Sequence, residues 1–164
     1  MKFVVTSSPH IRGKRNTQQI MLDVVIALLP ALLAGTIIFG MRALLVTLVC
    51  VAAAAAAEWA CGMVLYHRNT VKDLSSVVTG LLLALNLPAN IPLWEAVVGS
   101  VFAIVVVKCI FGGIGNNLVN PAITARVFML VAFGSSMATQ AFPKCVDAVS
   151  GATPLAQIAA DNTP

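Results

Sequence analysis

Charge is scarce in this sequence. Only 10% of its 164 residues are Asp, Glu, Lys or Arg, against about 25% in a soluble domain. Meanwhile 59% are hydrophobic and the mean hydropathy is +0.95. That balance excludes a water-soluble domain, whose surface needs more polar cover, and it equally excludes intrinsic disorder, which needs high charge and few apolar residues. Cysteine is scarce too: Cys50, Cys61, Cys109 and Cys145 have no close spacing and three lie inside apolar runs. A disulfide scaffold and a ferredoxin-type cluster are therefore excluded, and lone buried thiols are expected. No Gly-x-Gly-x-x-Gly follows a strand pattern, so nothing reads as a dinucleotide site. The net charge of +4 and pI near 9.1 do not point to nucleic acid, because the basic residues cluster beside hydrophobic segments, where they act as topology signals.

What is present is a series of long apolar runs, and the chain reads as an all-α integral membrane protein with about five transmembrane or broken helices. Ile20–Phe39 is too long and too far from the start for a signal peptide, and no small-residue cleavage site follows it. Ala43–Tyr66 is a second full-length span, in which Ala52–Ala57 offers a small-residue face for close packing and Trp59 and Tyr66 suit an interfacial belt. The run 74–87 is interrupted by Asn86, Pro88 and Asn90 and reads as a broken or re-entrant helix. Leu93–Gly113 is long enough to cross and ends in Gly112-Gly113-Ile114-Gly115. The run 118–134 carries Arg126 in its middle. The expected organisation is an N-terminal segment over 1–19, a helical membrane domain over 20–134 and a polar tail over 135–164.

Lysine and arginine set the orientation, since cytoplasmic loops hold their excess. With a cytoplasmic N-terminus, Lys2, Arg12, Lys14, Arg15, Arg68, Lys72 and Lys108 fall on or near the cytoplasmic side, and Arg42 and Lys144 fall outside. The tail after Gly134 is then extracytoplasmic, provided the third segment crosses fully.

Charged residues inside spans are candidates for function because they are expensive in hydrocarbon. Asp23 and Glu58 lie near span ends, where snorkelling to the interface competes with an ion-relay role. Arg126 is central, suited either to holding a phosphate or an electron-rich ring, or to pairing with a carboxylate on another helix. The interrupted segments around Asn86-Leu87-Pro88-Ala89 and Asn120-Pro121-Ala122 are open to two readings, a ligand site built from freed helix ends or simple kinks in packed helices. In the tail, Gly151 permits a tight turn and Thr153 suits a cap before Pro154.

Asp147 and Ser150-Gly151-Ala152-Thr153 resemble the sequence at which a flavin transferase attaches FMN to a threonine hydroxyl through a phosphoester. They occur together with Ser8-Pro9-His10-Ile11-Arg12, the stretch 78–88, and Phe111–Asn117 leading to Asn120-Pro121-Ala122. Together these stretches resemble the membrane flavoproteins of the Rnf ion-translocating ferredoxin:NAD oxidoreductase (its D subunit) and the sodium-pumping NADH:quinone oxidoreductase (its B subunit). The match covers nearly the whole chain, and the short N-terminal region favours the Rnf version.

The resemblance implies covalent FMN on Thr153, with Asp147, Ser150, Gly151 and Ala152 forming the recognition sequence. It also implies a second, non-covalent flavin such as riboflavin near Asn117 and Asn120. Arg126 is close enough in sequence to Asn120 to be expected at the same cavity. The implied partners are the other membrane and peripheral Rnf-type subunits, a flavin transferase for maturation, and lipid, with no nucleic acid. The implied location is the inner membrane. Family members carry a second, related half after the flavin threonine, so the chain is expected to be half of a two-repeat fold. The alternative is a channel or secondary transporter with broken helices and no redox role.

Overall fold

The computed structural model describes residues 16–66, 73–117 and 119–139, with backbone alone for Leu65 and Tyr66. Thr17–Phe39 forms α1, Met41–Cys61 forms α2 with a π-helical turn Gly62–Tyr66 after it, and Ser75–Asn86 forms α3. Leu93–Phe102 forms α4, which continues as π-helix over Ala103–Cys109. Pro121–Ala132 forms α5 and Gly134–Ala138 a short α6. Among the described residues no strand occurs. The helices α1 and Met41–Val64 are long and apolar enough to cross a bilayer. α3 and α5, at 12 residues each, are only about 18 Å long against a hydrocarbon core of about 30 Å.

Local chemistry explains these boundaries. Asn16 opens α1, its backbone N–H donating to the Gln19 side chain at 3.3 Å. Gly40, at φ 87, is the entire joint between α1 and α2, a left-handed conformation that a side chain would strain. Pro121 occupies the first turn of α5, where its missing N–H is harmless, and the Asn120 side chain caps that turn by accepting from Ala122 N at 3.0 Å. Inside the helices the hydroxyls fold back on their own backbone: Thr47 on Ala43 O, Thr79 on Ser75 O and Ser100 on Ala96 O, at 2.8–2.9 Å. That arrangement hides polar groups from an apolar surrounding.

The helices alternate in direction. Met21, Ser75, Lys108 and Asn120 line one cavity, and Phe39, Asn86, Arg126 and Met137 line another. One end of the bundle, here proximal, therefore holds the start of α1, α3 and α5 and the end of α4, and the distal end holds their opposite ends. α3 runs from one end to the other. The core is built on α2, α3, α4 and α5, with Val46, Cys50, Leu83, Ile91, Ala96, Ala103, Ala125 and Met129 buried together. α2 and α3 approach most closely at Gly80, where a Cβ would sit 2.8 Å from Val51 Cα and 3.0 Å from Cys50 O. The contact lies immediately before the alanine run Ala52–Ala57, of which Ala54 and Ala57 are buried. α4 and α5 are joined by Phe102 and Phe128, stacked at 4.0 Å. By contrast α1 has no buried residue, and Ile26, Leu33 and Ile37 stand exposed along it. An apolar surface of that kind belongs in lipid or against another helix.

Three features differ from the sequence expectation. The run 93–113 is helical only to Cys109 and changes from α to π at Ala103. The run 118–134 begins as helix at Pro121 and breaks at Phe133, and Gly134–Ala138 then turns back as α6 rather than leaving the bundle at once. Lys108, expected on or near the cytoplasmic side as a topology charge, is 3% exposed inside the π-helix. Cys50, Cys61 and Cys109 are buried and form no disulfide among the described residues. Cys145 lies outside the described residues.

Candidate functional site

A buried polar cluster sits at the proximal end. Lys108 Nζ donates to Glu58 Oε1 and to Ser75 Oγ, each at 2.5 Å, joining α4, α2 and α3. Both ends of the ion pair are almost fully buried, at 3% and 2% exposure. At that depth a cation is sustained by a partner rather than by water. Glu58 Oε2 has no hydrogen-bond partner among the described residues. Two cavities meet at Lys108. The first, about 190 Å³, is lined by Glu58, Asp73, Cys109, Gly112 and Gly113. The second, about 400 Å³, is lined by Ser75, Thr79, Asn117, Asn120 and apolar residues including Met21 and Leu82. Gly112, Gly113 and Gly115 all have positive φ, between 85 and 104, which turns the chain sharply from the end of α4 into Asn116 and Asn117.

Asn117 and Asn120 differ in what they have left to offer. Asn120 Oδ1 is committed to capping α5, whereas Asn117 Oδ1 is buried and has no hydrogen-bond partner among the described residues. A buried amide oxygen without a donor costs roughly 1–3 kcal/mol, so Asn117 is the group in this cavity that a ligand donor would satisfy. A volume of about 400 Å³ is in the range that holds small-molecule ligands and cofactors.

The distal end has its own polar groups. Arg126 Nη1 donates to Asn86 Oδ1 at 2.9 Å, and both line a cavity of about 380 Å³ with Phe39, Leu87, Met137 and Thr139. Glu95, 4% exposed in the first turn of α4, accepts from Ser136 Oγ of α6 at 2.9 Å, and its Oε2 has no partner among the described residues. The preceding residue, Trp94, meets Phe133 edge to face at 5.2 Å. Two consecutive residues of α4 thus hold the corner between α5 and α6.

The structure brings Asn117 and Asn120 to one cavity, as expected, and moves Arg126 to another. Six residues of helix separate Asn120 from Arg126, about 9 Å of rise, and the guanidinium turns toward α3. Its partner among the described residues is the amide of Asn86 rather than a carboxylate. Glu58, expected near a span end either to snorkel or to relay ions, is the anion of the buried pair, which excludes the snorkelling reading. Glu95 and Lys108 were missed as charges within spans. Lys108 was legible in principle, since it falls inside the run 93–113, where a charge at membrane depth is itself a signal. Glu95 reads as an ordinary first-turn acid. Asp147, Ser150, Gly151, Ala152 and Thr153 lie outside the described residues.

The model of the NQR2, RnfD, RnfE family matches residues 4–163. The chain is similar to the D subunit of the Na(+)-translocating ferredoxin:NAD(+) oxidoreductase complex of Acetobacterium woodii, with 48% identity over 163 residues, 99% of this chain and 51% of that protein. It is similar to the D subunit of the ion-translocating oxidoreductase complex of Aliivibrio salmonicida, at 44% over 85% of this chain and 40% of that protein. The corresponding protein of Vibrio cholerae is 39% identical over 87% of this chain and 42% of its own length. The chain spans about half the length of the curated relatives it matches.

Proposed function

The chain belongs to the NQR2, RnfD, RnfE family of membrane proteins, and from that premise we propose that it is part of the D subunit of an Rnf-type complex. In that role it relays electrons between ferredoxin and NAD through covalent FMN on Thr153, coupled to movement of sodium or protons. The observation that carries the reading is Asp147 with Ser150-Gly151-Ala152-Thr153, in a chain 48% identical over 99% of its length to a protein named as the D subunit of such a complex. The other membrane and peripheral subunits, and a flavin transferase acting during maturation, are the partners this role requires. The basic N-terminal segment supports a cytoplasmic proximal end and an extracytoplasmic distal end in the inner membrane.

The proximal cavity suits a second, non-covalent flavin of a particular kind. Lys108 is already neutralised by Glu58, and the remaining polar lining is Ser75, Thr79, Asn117 and Asn120. Nothing in that lining favours a phosphate, so an uncharged flavin such as riboflavin is the better fit. Asn117 Oδ1 supplies the unused acceptor. When bound, a flavin brings the redox chemistry, and the protein contributes position and electrostatics.

The test is the intact mass and denatured in-gel flavin fluorescence of the full-length subunit, co-expressed with a flavin transferase, beside Thr153→Ala. A mass increase of one FMN that the substitution abolishes is the expected result. An unmodified Thr153, with the transferase active on another substrate, would overturn the redox role.

A further inference from the structure

Arg126 has a charge that the described residues do not balance. Guanidinium remains protonated at any physiological pH and carries five N–H donors, of which one is used, on the neutral Asn86 Oδ1. Asn86 is occupied on its other side, donating to Leu82 O at 2.8 Å. No carboxylate appears among the described residues lining the cavity in front of Arg126. Glu95, the buried acid at this end, is engaged by Ser136 and lies outside that lining. Arg126 is exposed and lines this open cavity, so its unused donors are accessible to an anion from outside the described residues. The cavity of about 380 Å³ sets Arg126, Asn86 and the Thr139 hydroxyl against Phe39, Leu87 and Met137, a polar mouth on an apolar wall.

We propose that this distal cavity is a phosphodiester-binding site in which Arg126 grips the phosphate. A phosphodiester bears one negative charge, matching the one cation, and its two free oxygens match the guanidinium fork. Its substituents, an acyl chain or a flavin ring, suit the apolar wall. Two sources present this chemistry: a phospholipid headgroup, and the phosphoester linking a flavin to Thr153. The second source rests on the function proposed above, and the anion site does not. Thr139 lines the cavity and stands fourteen residues before Thr153.

The deciding comparison uses the full-length subunit purified in detergent, as Thr153→Ala and as Thr153→Ala with Arg126→Gln. Phosphatidylglycerol or diacylglycerol is titrated in and bound lipid is read by native mass spectrometry. Thr153→Ala is expected to bind phosphatidylglycerol about tenfold more tightly than the double variant, equivalent to about 1.4 kcal/mol, with no difference for diacylglycerol. If a lipid is the natural occupant, the flavinylated wild type shows the same preference. If the flavin phosphoester is the occupant, the wild type lacks it, and Arg126→Gln alone shifts the flavin midpoint potential while leaving Thr153 modified. Equal phosphatidylglycerol binding with and without Arg126 would overturn the site. A wild type that carries no flavin would overturn the attachment and leave the lipid comparison decisive for Arg126. Protection of Arg126 from phenylglyoxal by phosphatidylglycerol, read by peptide mass on Thr153→Ala, needs no substitution at Arg126, and absence of protection also overturns the site.

Discussion

Lys108 and Glu58 are fifty residues apart in the chain and 2.5 Å apart in the fold. The pair ties the end of α2 to the end of α4 and, through Ser75, to the start of α3. Breaking it by removing one partner leaves a buried uncompensated charge, which costs about 3–5 kcal/mol. Glu58→Gln and Lys108→Met are each expected to lower the unfolding temperature of the detergent-purified protein sharply. Replacing both with apolar residues of similar volume is expected to recover most of the loss. A double variant as unstable as the worse single one would show that the pair does more than neutralise itself.

Gly80 has a separate, purely steric role. A methyl group there would press on the backbone of α2 at Val51 and Cys50, which cannot rotate away as a side chain can. Gly80→Ala is expected to destabilise by about 1–3 kcal/mol, the usual effect of overpacking. Gly35→Ala, where a Cβ meets nothing within 4 Å, is expected to be neutral or stabilising by about 0.5–1 kcal/mol through reduced backbone freedom. Thermal unfolding of the two variants side by side checks both.

At the other end, Glu95 depends on one hydroxyl. Ser136→Ala would leave both oxygens of a buried carboxylate without a donor, at about 1–3 kcal/mol. Glu95→Met removes the unsatisfied oxygens and keeps the bulk, so it is expected to be less harmful than Ser136→Ala. The opposite order of unfolding temperatures would mean that Glu95 meets a cation beyond the described residues.

These relationships also mark what could be read in advance. The apolar runs were legible because a membrane forces each backbone group to find its partner within a helix, and the helix at Pro121 was announced by Asn120-Pro121. The turn at Gly112 to Gly115 was visible as three glycines, each of which takes positive φ. Pairings between helices were not legible. Glu58 and Lys108 each lie in a separate run, and no local rule says which faces meet. Arg126 follows Asn120 closely in sequence, but helical rise carries it to the opposite end of the bundle, so proximity along the chain misled. The switch to π-helix at Ala103 has no evident mark in Ala103–Cys109, and it falls where Lys108 must turn toward Glu58. Such local departures from α geometry often accompany functional positions.

Asn117 and Asn120 provide the sharpest separation of structure from ligand binding. Asn120 caps α5, so Asn120→Ala should destabilise by about 1 kcal/mol while Asn120→Asp, which keeps the accepting oxygen, should not. Asn117 Oδ1 has no partner among the described residues, so Asn117→Ala should leave unfolding unchanged or slightly improved. If an uncharged flavin occupies the cavity, Asn117→Ala should also lower the amount of flavin released by acid from the purified full-length subunit, with the covalent fluorescence at Thr153 unaltered. A variant that keeps its full complement of releasable flavin would place that cofactor elsewhere and leave Asn117 facing a partner of another kind.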